Sequence, residues 1–274
     1  MGFLTFGVTA EAGVKGPYAD YDTALTALRA DATASDGDVY QLDNDMIFAA
    51  YVSEGPGILI PSDLYERVDA YVANSGDPGI AYLRSSDTEA EILARGWTIE
   101  EGGIATVTGG SGSPFRCDTG AGGTSDTAFL RFTPTTAVSD ALLLIKAQTV
   151  SGAAMYQGYA AAFYDESKAV RISGTNGTAG DHVQVGSSGP LSGSIGEVSE
   201  TGAVWWLLFA DQGDSGNTIV FRRLESKPEE AVSCLQSQLL STAFKACPYL
   251  GSRRVAPDEQ AILDVYEAHA LELT

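Results

Sequence analysis

The chain after Gly96 is a succession of short β-prone runs, and this pattern restricts the fold most strongly. Runs such as TAFLRFTP, DALLLIKAQTV, KAVRISG, AVWWLLFADQ and TIVFRRLE follow one another, with Gly, Ser, Asn and Asp between them. No helical pattern separates one run from the next, whereas a parallel sheet needs crossover connections that are usually helical. The sequence therefore predicts a mainly β protein whose larger part is an antiparallel sandwich or barrel.

Two of these runs are apolar at every position. LLLI at 142–145 and WWLLF at 205–209 predict strands that are covered on both faces. Trp205 and Trp206 are neighbours, so their side chains must point to opposite faces of a strand. A sugar-stacking platform is one use for such tryptophans and for Trp97, but we expect them in the core or at a subunit contact.

The last segment, 258–273, has two interpretations. Pro257 followed by two acidic residues is a favourable helix start. The alternative is a closing strand, in which leucine and valine share one face. Its apolar positions would be Leu263, Val265, Leu271 and Leu273.

The first 86 residues have a different texture, and we interpret residues 1–86 as one module and 87–274 as the sandwich domain. The beginning of the chain, to about Asp22, is an arm or an edge strand. A hairpin is expected from two β-prone runs, Val39–Leu42 and Met46–Val52, on either side of an Asp-Asn-Asp turn. Short helical segments are expected at Thr23–Ala32, after Ser62 (with Leu64, Val68 and Val72 on one face) and at Thr88–Arg95.

The densest glycine cluster, TVTGGSGSPFRCDTGAGG at 106–123, raises the question of a phosphate-binding loop. Such a loop requires a strand before it and a helix after it, so that amide groups and a helix N-terminus point at the anion. Pro114 and Phe115 follow without a helical pattern, and GK[ST] is missing. We therefore expect strand-connecting turns, with Phe115 and Cys117 as core residues.

Charge and cysteine content exclude several functions. Acidic residues outnumber basic ones 36 to 16, giving a net charge of −20 that repels nucleic acid and disfavours membrane surfaces. Cys117, Cys234 and Cys247 are too few and too scattered for a disulfide framework or a zinc site. Buried thiols are expected, and one bridge between Cys234 and Cys247 is the alternative. No apolar run is long enough to span a membrane, and no signal peptide is apparent.

Catalysis has little support in the sequence. The only histidines, His182 and His269, are expected at the surface or rim, and no nucleophile elbow is present. The segment ILDVYEAH resembles the signature of jelly-roll glucanases, with Asp264 and Glu267 at two of its acidic positions. Ile262 occupies the nucleophile position, so a retaining mechanism cannot run. We expect a protein that is not an enzyme.

Calcium is the remaining inorganic option. Clustered oxygens occur at Asp43, Asn44 and Asp45, and again at Asp211, Asp214 and Asn217. Neither set fits an EF-hand loop, and these residues are equally favoured in turns. We predict no metal, no cofactor and no catalytic residue, and the sequence does not define a binding residue.

Several stretches of the chain resemble a known family. AEILARGWTIEEGGIATVTGG, VWWLLFADQ and ILDVYEAHALEL look like the concanavalin A-like sandwich domain of tailed-bacteriophage virion proteins. GDVYQLDNDMIFAAYV and ILIPSDLYERV look like a small module that precedes such domains in fibre and decoration proteins. The resemblance implies a jelly-roll fold and a non-enzymatic structural protein of the virion, made in the host cytoplasm.

The same resemblance implies partners and leaves alternatives. The protein would attach through residues 1–86 to other virion proteins of the capsid or tail, form a homotrimer and display the sandwich, with a host-surface glycan as its ligand. The main interpretation is that the protein is a component of a tail or head fibre. A capsid decoration protein that stabilises the shell is the alternative, and a glycan-active enzyme is disfavoured.

Overall fold

The protein forms two compact units, which the computed structural model describes in part. It describes residues 13–53, 55–75, 80–121, 126–132, 141–151, 158–165, 168–174, 182–185, 190–194, 202–211, 218–225, 232–235, 249–253, 260 and 262–273. The units are Met1–Pro78 and Gly79–Thr274. The division falls after Pro78 rather than after residue 86, because the strand that follows it pairs with the last strand of the chain.

The N-terminal unit combines a small sheet with two helices. Its described elements are β1 (Lys15–Tyr18), α1 (Tyr21–Ala30), β2 (Val39–Leu42), β3 (Ile47–Tyr51), β4 (Ile58–Pro61) and α2 (Ser62–Ser75). The sheet order is β1-β2-β3-β4, with β1 parallel to β2 and the other pairs antiparallel. The predicted hairpin is β2–β3, and the predicted edge strand is β1.

Local signals explain the elements of this unit. The Asp20 side chain caps α1 by accepting a hydrogen bond from the backbone N–H of Thr23 at 2.7 Å. Leu25 and Leu28 of that helix are buried, as their spacing predicts. In the β2–β3 turn, the Asn44 side chain accepts from the backbone N–H of Met46, which is the ordinary turn chemistry of asparagine.

One lysine fastens the edge strand of the N-terminal unit. Lys15 Nζ lies 2.8 Å from Asp31 Oδ2 and 2.7 Å from Asp38 Oδ2, and it also donates to the hydroxyl of Tyr40. The hydrogen bond from Lys15 holds the pKa of Asp31 below its ordinary value. The acidic loop residues therefore hold β1 in place through a single cation.

The second unit is a two-sheet sandwich. Its described elements are β5 (Ile80–Arg84), α3 (Glu89–Ala94), β6 (Trp97–Gly102), β7 (Thr106–Gly110), β8 (Ser113–Asp118), β9 (Thr127–Phe132), β10 (Ala141–Ser151), β11 (Gly158–Asp165), β12 (Lys168–Gly174), β13 (His182–Val185), β14 (Pro190–Ser194), β15 (Val204–Asp211), β16 (Thr218–Arg223), β17 (Val232–Leu235), β18 (Tyr249–Arg253) and β19 (Ile262–Glu272). None of the helices in the described ranges is long and apolar enough to cross a membrane.

The described strands of this unit form two antiparallel sheets. The front sheet has eight strands in the order β17-β16-β15-β10-β19-β8-β7, and β5 pairs with β19 beyond the end of β8. The back sheet has seven strands in the order β14-β13-β12-β11-β18-β9-β6. Most neighbours are distant in sequence, as in a jelly roll. The predicted fold class is confirmed: an antiparallel jelly-roll sandwich that is preceded in the sequence by a small module with a hairpin and short helices.

The core lies between the two sheets. Trp97 and Leu130 of the back sheet belong to the same buried cluster as Leu143 and Trp206 of the front sheet. Alternation along β10 sends Leu142 to the opposite face, where it is also fully buried. The runs that are apolar at every position therefore do lie in strands covered on both faces, as predicted. Phe115 and Cys117 are core residues, also as predicted.

The C-terminal segment is a strand, but its apolar residues do not share one face. Tyr266 is an extra, bulged residue of β19. Its neighbours Val265 and Glu267 lie opposite Ala147 and Lys146, which are consecutive in β10. Leu263 and Val265 face the core, whereas Leu271 lies on the opposite face, across from Leu142. The expectation of a single apolar face fails because a bulge shifts the period-2 alternation by one residue.

The glycine cluster forms the β7–β8 hairpin and packs against the β5–α3 loop. Ser111 and Gly112 donate backbone hydrogen bonds to the carbonyls of Asp87 and Ser85, both at 2.8 Å. A Cβ on Gly110, whose φ is +79°, would lie 2.5 Å from the carbonyl oxygen of Asp87. The glycines therefore serve close backbone approach between two loops of the sandwich.

Alanine substitutions at two glycines of this hairpin distinguish steric crowding from backbone strain. Gly110→Ala should destabilise the sandwich by about 2 to 4 kcal/mol, because strain at positive φ adds to a clash with backbone. Gly112→Ala is the matched control: its φ is +103° but nothing lies within 4 Å of the added Cβ, so about 1 to 2 kcal/mol is expected. Urea unfolding followed by tryptophan fluorescence measures both, and equal losses would contradict the packing role of Gly110.

Candidate functional site

The face of the front sheet that points away from the back sheet carries many polar side chains around β19. We call this set the polar face. Its members are Tyr82, Arg84, Thr108, Arg116, Asp118, Lys146, Gln148, Asp264, Glu267 and His269. They share a face because residues directly opposite one another in a sheet point the same way.

Strand register arranges the polar face in rungs across β19. In one rung Asp264 lies between Arg116 of β8 and Gln148 of β10. In the next Glu267 lies between Arg84 of β5 and Lys146 of β10. The bulge at Tyr266 keeps the acidic residues of both rungs on this face, although three positions separate them in sequence.

The best-defined contact of the polar face is a two-bond ion pair. Arg116 Nε donates to Asp264 Oδ1 and Arg116 Nη2 donates to Asp264 Oδ2, both at 2.7 Å. The Asp264 side chain is only 5% exposed, whereas that of Arg116 is 44% exposed. The hydrogen bonds from the Arg116 side chain to Asp264 raise the pKa of Arg116, so its positive charge is permanent.

This pair leaves part of the guanidinium available. A guanidinium has five N–H donors in a fixed fork, and Asp264 uses one edge of it. Within the described residues the Nη1 group of Arg116 has no partner, and Thr108, its neighbour on β7, is exposed. A buried carboxylate therefore fixes a donor group whose remaining edge faces outward.

Further amide and hydroxyl groups are fixed beside the ion pair. Gln260 Nε2 donates to both carboxylate oxygens of Asp118, at 2.8 and 2.9 Å. The Tyr266 hydroxyl donates to Gln148 Oε1 at 3.2 Å, so the bulged residue also lies over this face. These planar groups offer hydrogen bonds in preset directions.

His269 is not the rim residue that the sequence suggested. Its side chain is fully buried, and its Nε2 lies 2.5 Å from Glu267 Oε1. Its ring stacks beside that of Tyr82, with ring centroids 6.2 Å apart. The prediction of an exposed histidine was wrong because the outward-pointing face of the front sheet is itself covered around His269 in β19.

The β5–α3 loop continues the polar face beyond β19. Asp87 is 4% exposed; Arg95 Nη1 lies 2.7 Å from it and Arg84 Nη2 lies 3.5 Å from it. The Arg95 guanidinium also covers the ring of Tyr82 at 4.2 Å. Burial acts to raise the pKa of Asp87, but hydrogen bonds from Arg95 and the Arg84 backbone outweigh it and lower that pKa.

The glucanase-like positions do converge on this face. Ile262, Asp264 and Glu267 all point outward from β19 once the bulge is counted. Ile262 lies opposite Asp118 on β8 and supplies no nucleophile. Asp264 is engaged by Arg116 and Glu267 by His269, so neither carboxylate is placed as an unpaired acid or base.

The other residues considered in the sequence do not form a site in the described structure. His182, Asp211 and Cys234 lie in β13, β15 and β17, but their side chains are outside the described part, as are the whole residues Asp214, Asn217 and Cys247. Trp205 and Trp206 are both buried and point to opposite faces, as predicted. Across the described ranges, no three acidic, histidine or cysteine side chains are grouped to hold a metal.

Comparisons with known proteins give only distant structural likenesses. No family model matches the chain, and no curated protein gives a significant match. The exoplasmic/lumenal domain of VIP36, solved with Ca²⁺ and Man3GlcNAc, aligns with a TM-score of 0.46 at 10% identity over 71% of this chain and 89% of that one.

Two further solved structures illustrate the range of these likenesses. A legume lectin-like domain from Entamoeba histolytica has a TM-score of 0.40 at 8% identity, over 70% of this chain and 96% of that one. An endo-1,3-beta-glucanase from Streptomyces sioyaensis has a TM-score of 0.38 at 10% identity, over 69% and 92%. With TM-scores below 0.5, these likenesses assign neither an activity nor a ligand to the chain.

Sequence reasoning missed the residues that build the polar face. It singled out Asp264 and Glu267, but Arg116, Gln148 and Arg84 carry no local signal. Arg116 and Asp264 are 148 residues apart in sequence. Only the β8–β19 register brings them together, and alternation in each strand is the one sequence signal that bears on it.

The Asp87 cluster gives a pH-dependent prediction. Asp87→Asn should cost about 1 to 3 kcal/mol at pH 7, because charge-assisted hydrogen bonds to a buried carboxylate are lost. A depressed pKa stabilises the fold above the ordinary aspartate pKa of about 3.9, and this contribution is lost as the pH falls through the lower folded value. The difference between wild type and variant should therefore shrink below about pH 4.

Urea unfolding from pH 7 to pH 2.5 measures this difference. Tryptophan fluorescence follows the sandwich alone, since Trp97, Trp205 and Trp206 all lie in Gly79–Thr274. Glu89→Gln, at an exposed carboxylate of α3, is the control and should change stability by no more than about 0.5 kcal/mol. A difference for Asp87→Asn that stays constant to pH 2.5 would contradict the assigned role of its charge.

Proposed function

We propose that this chain is a non-catalytic glycan-binding protein of a tailed-bacteriophage particle. In this proposal the polar face of the sandwich binds the glycan, and the N-terminal unit attaches the protein to the particle. One observation supports the binding role above the others: the fixed Arg116–Asp264 pair with its outward donor edge.

The chemistry of the polar face suits sugar hydroxyls. A saccharide offers closely spaced hydroxyl groups that both donate and accept, and it is bound best by groups already held in place. Arg116, Asp118 and Gln148 are planar, paired with neighbours and partly accessible. The Tyr266 ring is half-buried beside them and adds apolar surface.

The same face argues against glycoside hydrolysis. A retaining mechanism needs a carboxylate nucleophile, and Ile262 stands at that position. The carboxylate of Asp264 is already paired, because it accepts two hydrogen bonds from the Arg116 guanidinium. A binding role needs no free acid or base, so the residues fit binding better than catalysis.

The virion role is supported by the sequence resemblance. The division into a small and a large unit suits a protein that attaches by one part and binds by the other. We propose a fibre component of the tail or head that works as a homotrimer.

A single substitution tests glycan binding. Arg116→Lys keeps a positive charge beside Asp264 but removes the planar outward edge, because an ammonium group is a point charge. Affinity for a bound glycan should fall on the order of tenfold or more, while the free energy of unfolding changes by about 1 kcal/mol or less. A glycan array finds the ligand, and titration calorimetry measures the change.

Arg131→Lys on the back sheet is the matched control. Arg131 Nη1 lies 3.0 Å from Glu100, so the same substitution alters a comparable ion pair on another face. Glycan affinity should be unchanged in this variant. Equal losses of glycan affinity in both variants, or an array on which no glycan is bound, would refute the binding role. Cleavage of polysaccharide by the pure protein would refute the proposal that it is not an enzyme.

The virion role has its own test. Electron microscopy of purified particles, with an antibody against the sandwich, should label the tail or the head fibres. Even labelling over the shell would instead favour a decoration protein, and unlabelled particles would refute the virion role. Light scattering of the pure full chain checks the proposed trimer.

A further inference from the structure

We propose that the glycan bound by the polar face is anionic, and that Arg84 and Arg95 receive its carboxylate, sulfate or phosphate group. This inference rests on the proposed glycan-binding function and names the ligand class. It is carried by the geometry of the β5–α3 loop, at the end of the polar face away from Arg116.

The first observation is that two guanidinium groups, those of Arg84 and Arg95, share the single carboxylate of Asp87. Arg95 holds the short contact of 2.7 Å, whereas Arg84 reaches Asp87 only at 3.5 Å. Asp87 is thus satisfied mainly by Arg95, and Arg84 has only the longer of the two contacts with this carboxylate.

The second observation concerns the register partner of Arg84. Glu267 lies directly opposite Arg84, on the same face. Its carboxylate instead lies against His269, 2.5 Å from Nε2, and no ion pair joins Glu267 to Arg84 in the described part of the chain. The nearest acidic residue of the sheet therefore does not neutralise Arg84 either.

The third observation is the poor hydrogen bonding of Arg84 itself. Within the described residues its Nε is buried without a hydrogen-bond partner, and its Nη2 has only the 3.5 Å contact with Asp87. Unsatisfied buried donors are rare in folded proteins, and each calls for a physical explanation such as a missing ion. The side chain is 34% exposed, so an anion can reach the Nη edge.

Position links this group to the glycan site. Arg84 and Arg116 both lie beside β19, opposite Glu267 and Asp264. Three residues of a strand span roughly 10 Å, and the bulge shortens this distance. A single oligosaccharide can therefore contact Arg116 through hydroxyls and Arg84 through an anionic substituent.

The groups around Arg84 are also held in place before an anion binds. Arg95 is stacked on Tyr82 and hydrogen-bonded to Asp87, so its guanidinium is held in place. The β7–β8 hairpin fixes the loop through backbone hydrogen bonds to Ser85 and Asp87. Donors held in place before binding lose little entropy when the anion arrives.

The test compares acidic polysaccharides with their neutral counterparts. Polygalacturonate and its carboxyl-reduced form, and dextran sulfate and dextran, are titrated into the full chain at constant ionic strength. The wild type should prefer the acidic member of a pair. Arg84→Gln should lower affinity for the acidic member about tenfold and leave the neutral member unchanged.

Two further variants keep the test decisive. Arg84→Lys retains the charge and should recover part of the preference, whereas Arg67→Gln removes one exposed charge from α2 and should change nothing. Circular dichroism and urea unfolding verify that each variant is folded. Competition by inorganic sulfate in the wild type, lost in Arg84→Gln, would place the anion at Arg84.

The outcomes separate the two proposals. Equal affinity for acidic and neutral members, with Arg116→Lys still reducing both, would overturn the anionic ligand and leave glycan binding intact. A preference for the acidic member that survives in Arg84→Gln would likewise overturn the role of Arg84. No binding of any polysaccharide, on the array or in titration, would overturn both proposals.

Discussion

The pairing of β19 is the constraint on which the sandwich and its polar face depend. This last strand lies in the middle of the front sheet, with β10 on one side and both β8 and β5 on the other. It supplies Leu263 and Val265 to the core and Asp264 to the opposite face. The two sides of the front sheet are joined through β19.

The bulge at Tyr266 decides what that strand presents. If residues 264–267 alternated regularly, with no bulge at Tyr266, Glu267 would face the core whenever Asp264 faced outward. Burying an unpaired carboxylate there would cost several kcal/mol. The bulge keeps both acids on the polar face and puts small residues, Ala268 and Ala270, into the core instead.

The polar face combines fixed pairs with groups that are only partly satisfied. Asp264 is buried and fully paired, so it orients Arg116 rather than acting as an acid. Arg84 is the opposite case, because Asp87 and Glu267 make their shorter contacts with Arg95 and His269. Fixed donors near unsatisfied ones are the arrangement expected of a binding surface, since binding supplies the missing partners.

Sequence reasoning recovered the elements that depend on local chemistry. The hairpin β2–β3, the short α3 helix and the opposite orientation of Trp205 and Trp206 all follow from neighbouring residues. It failed for the exposure of His269, which depends on what covers the outer face of the front sheet. It also failed for the apolar face of β19, which depends on the bulge in the pairing with β10.

The sequence by itself determined the β-rich antiparallel sandwich and the need for turns at the glycines, and its charge of −20 predicts that nucleic acid is not a ligand. These follow from period-2 alternation, backbone sterics and Coulomb repulsion, which act locally or through the whole composition. Tertiary structure alone decided which polar residues meet. Arg116 and Asp264, 148 residues apart, are neighbours only because strand register places them opposite each other.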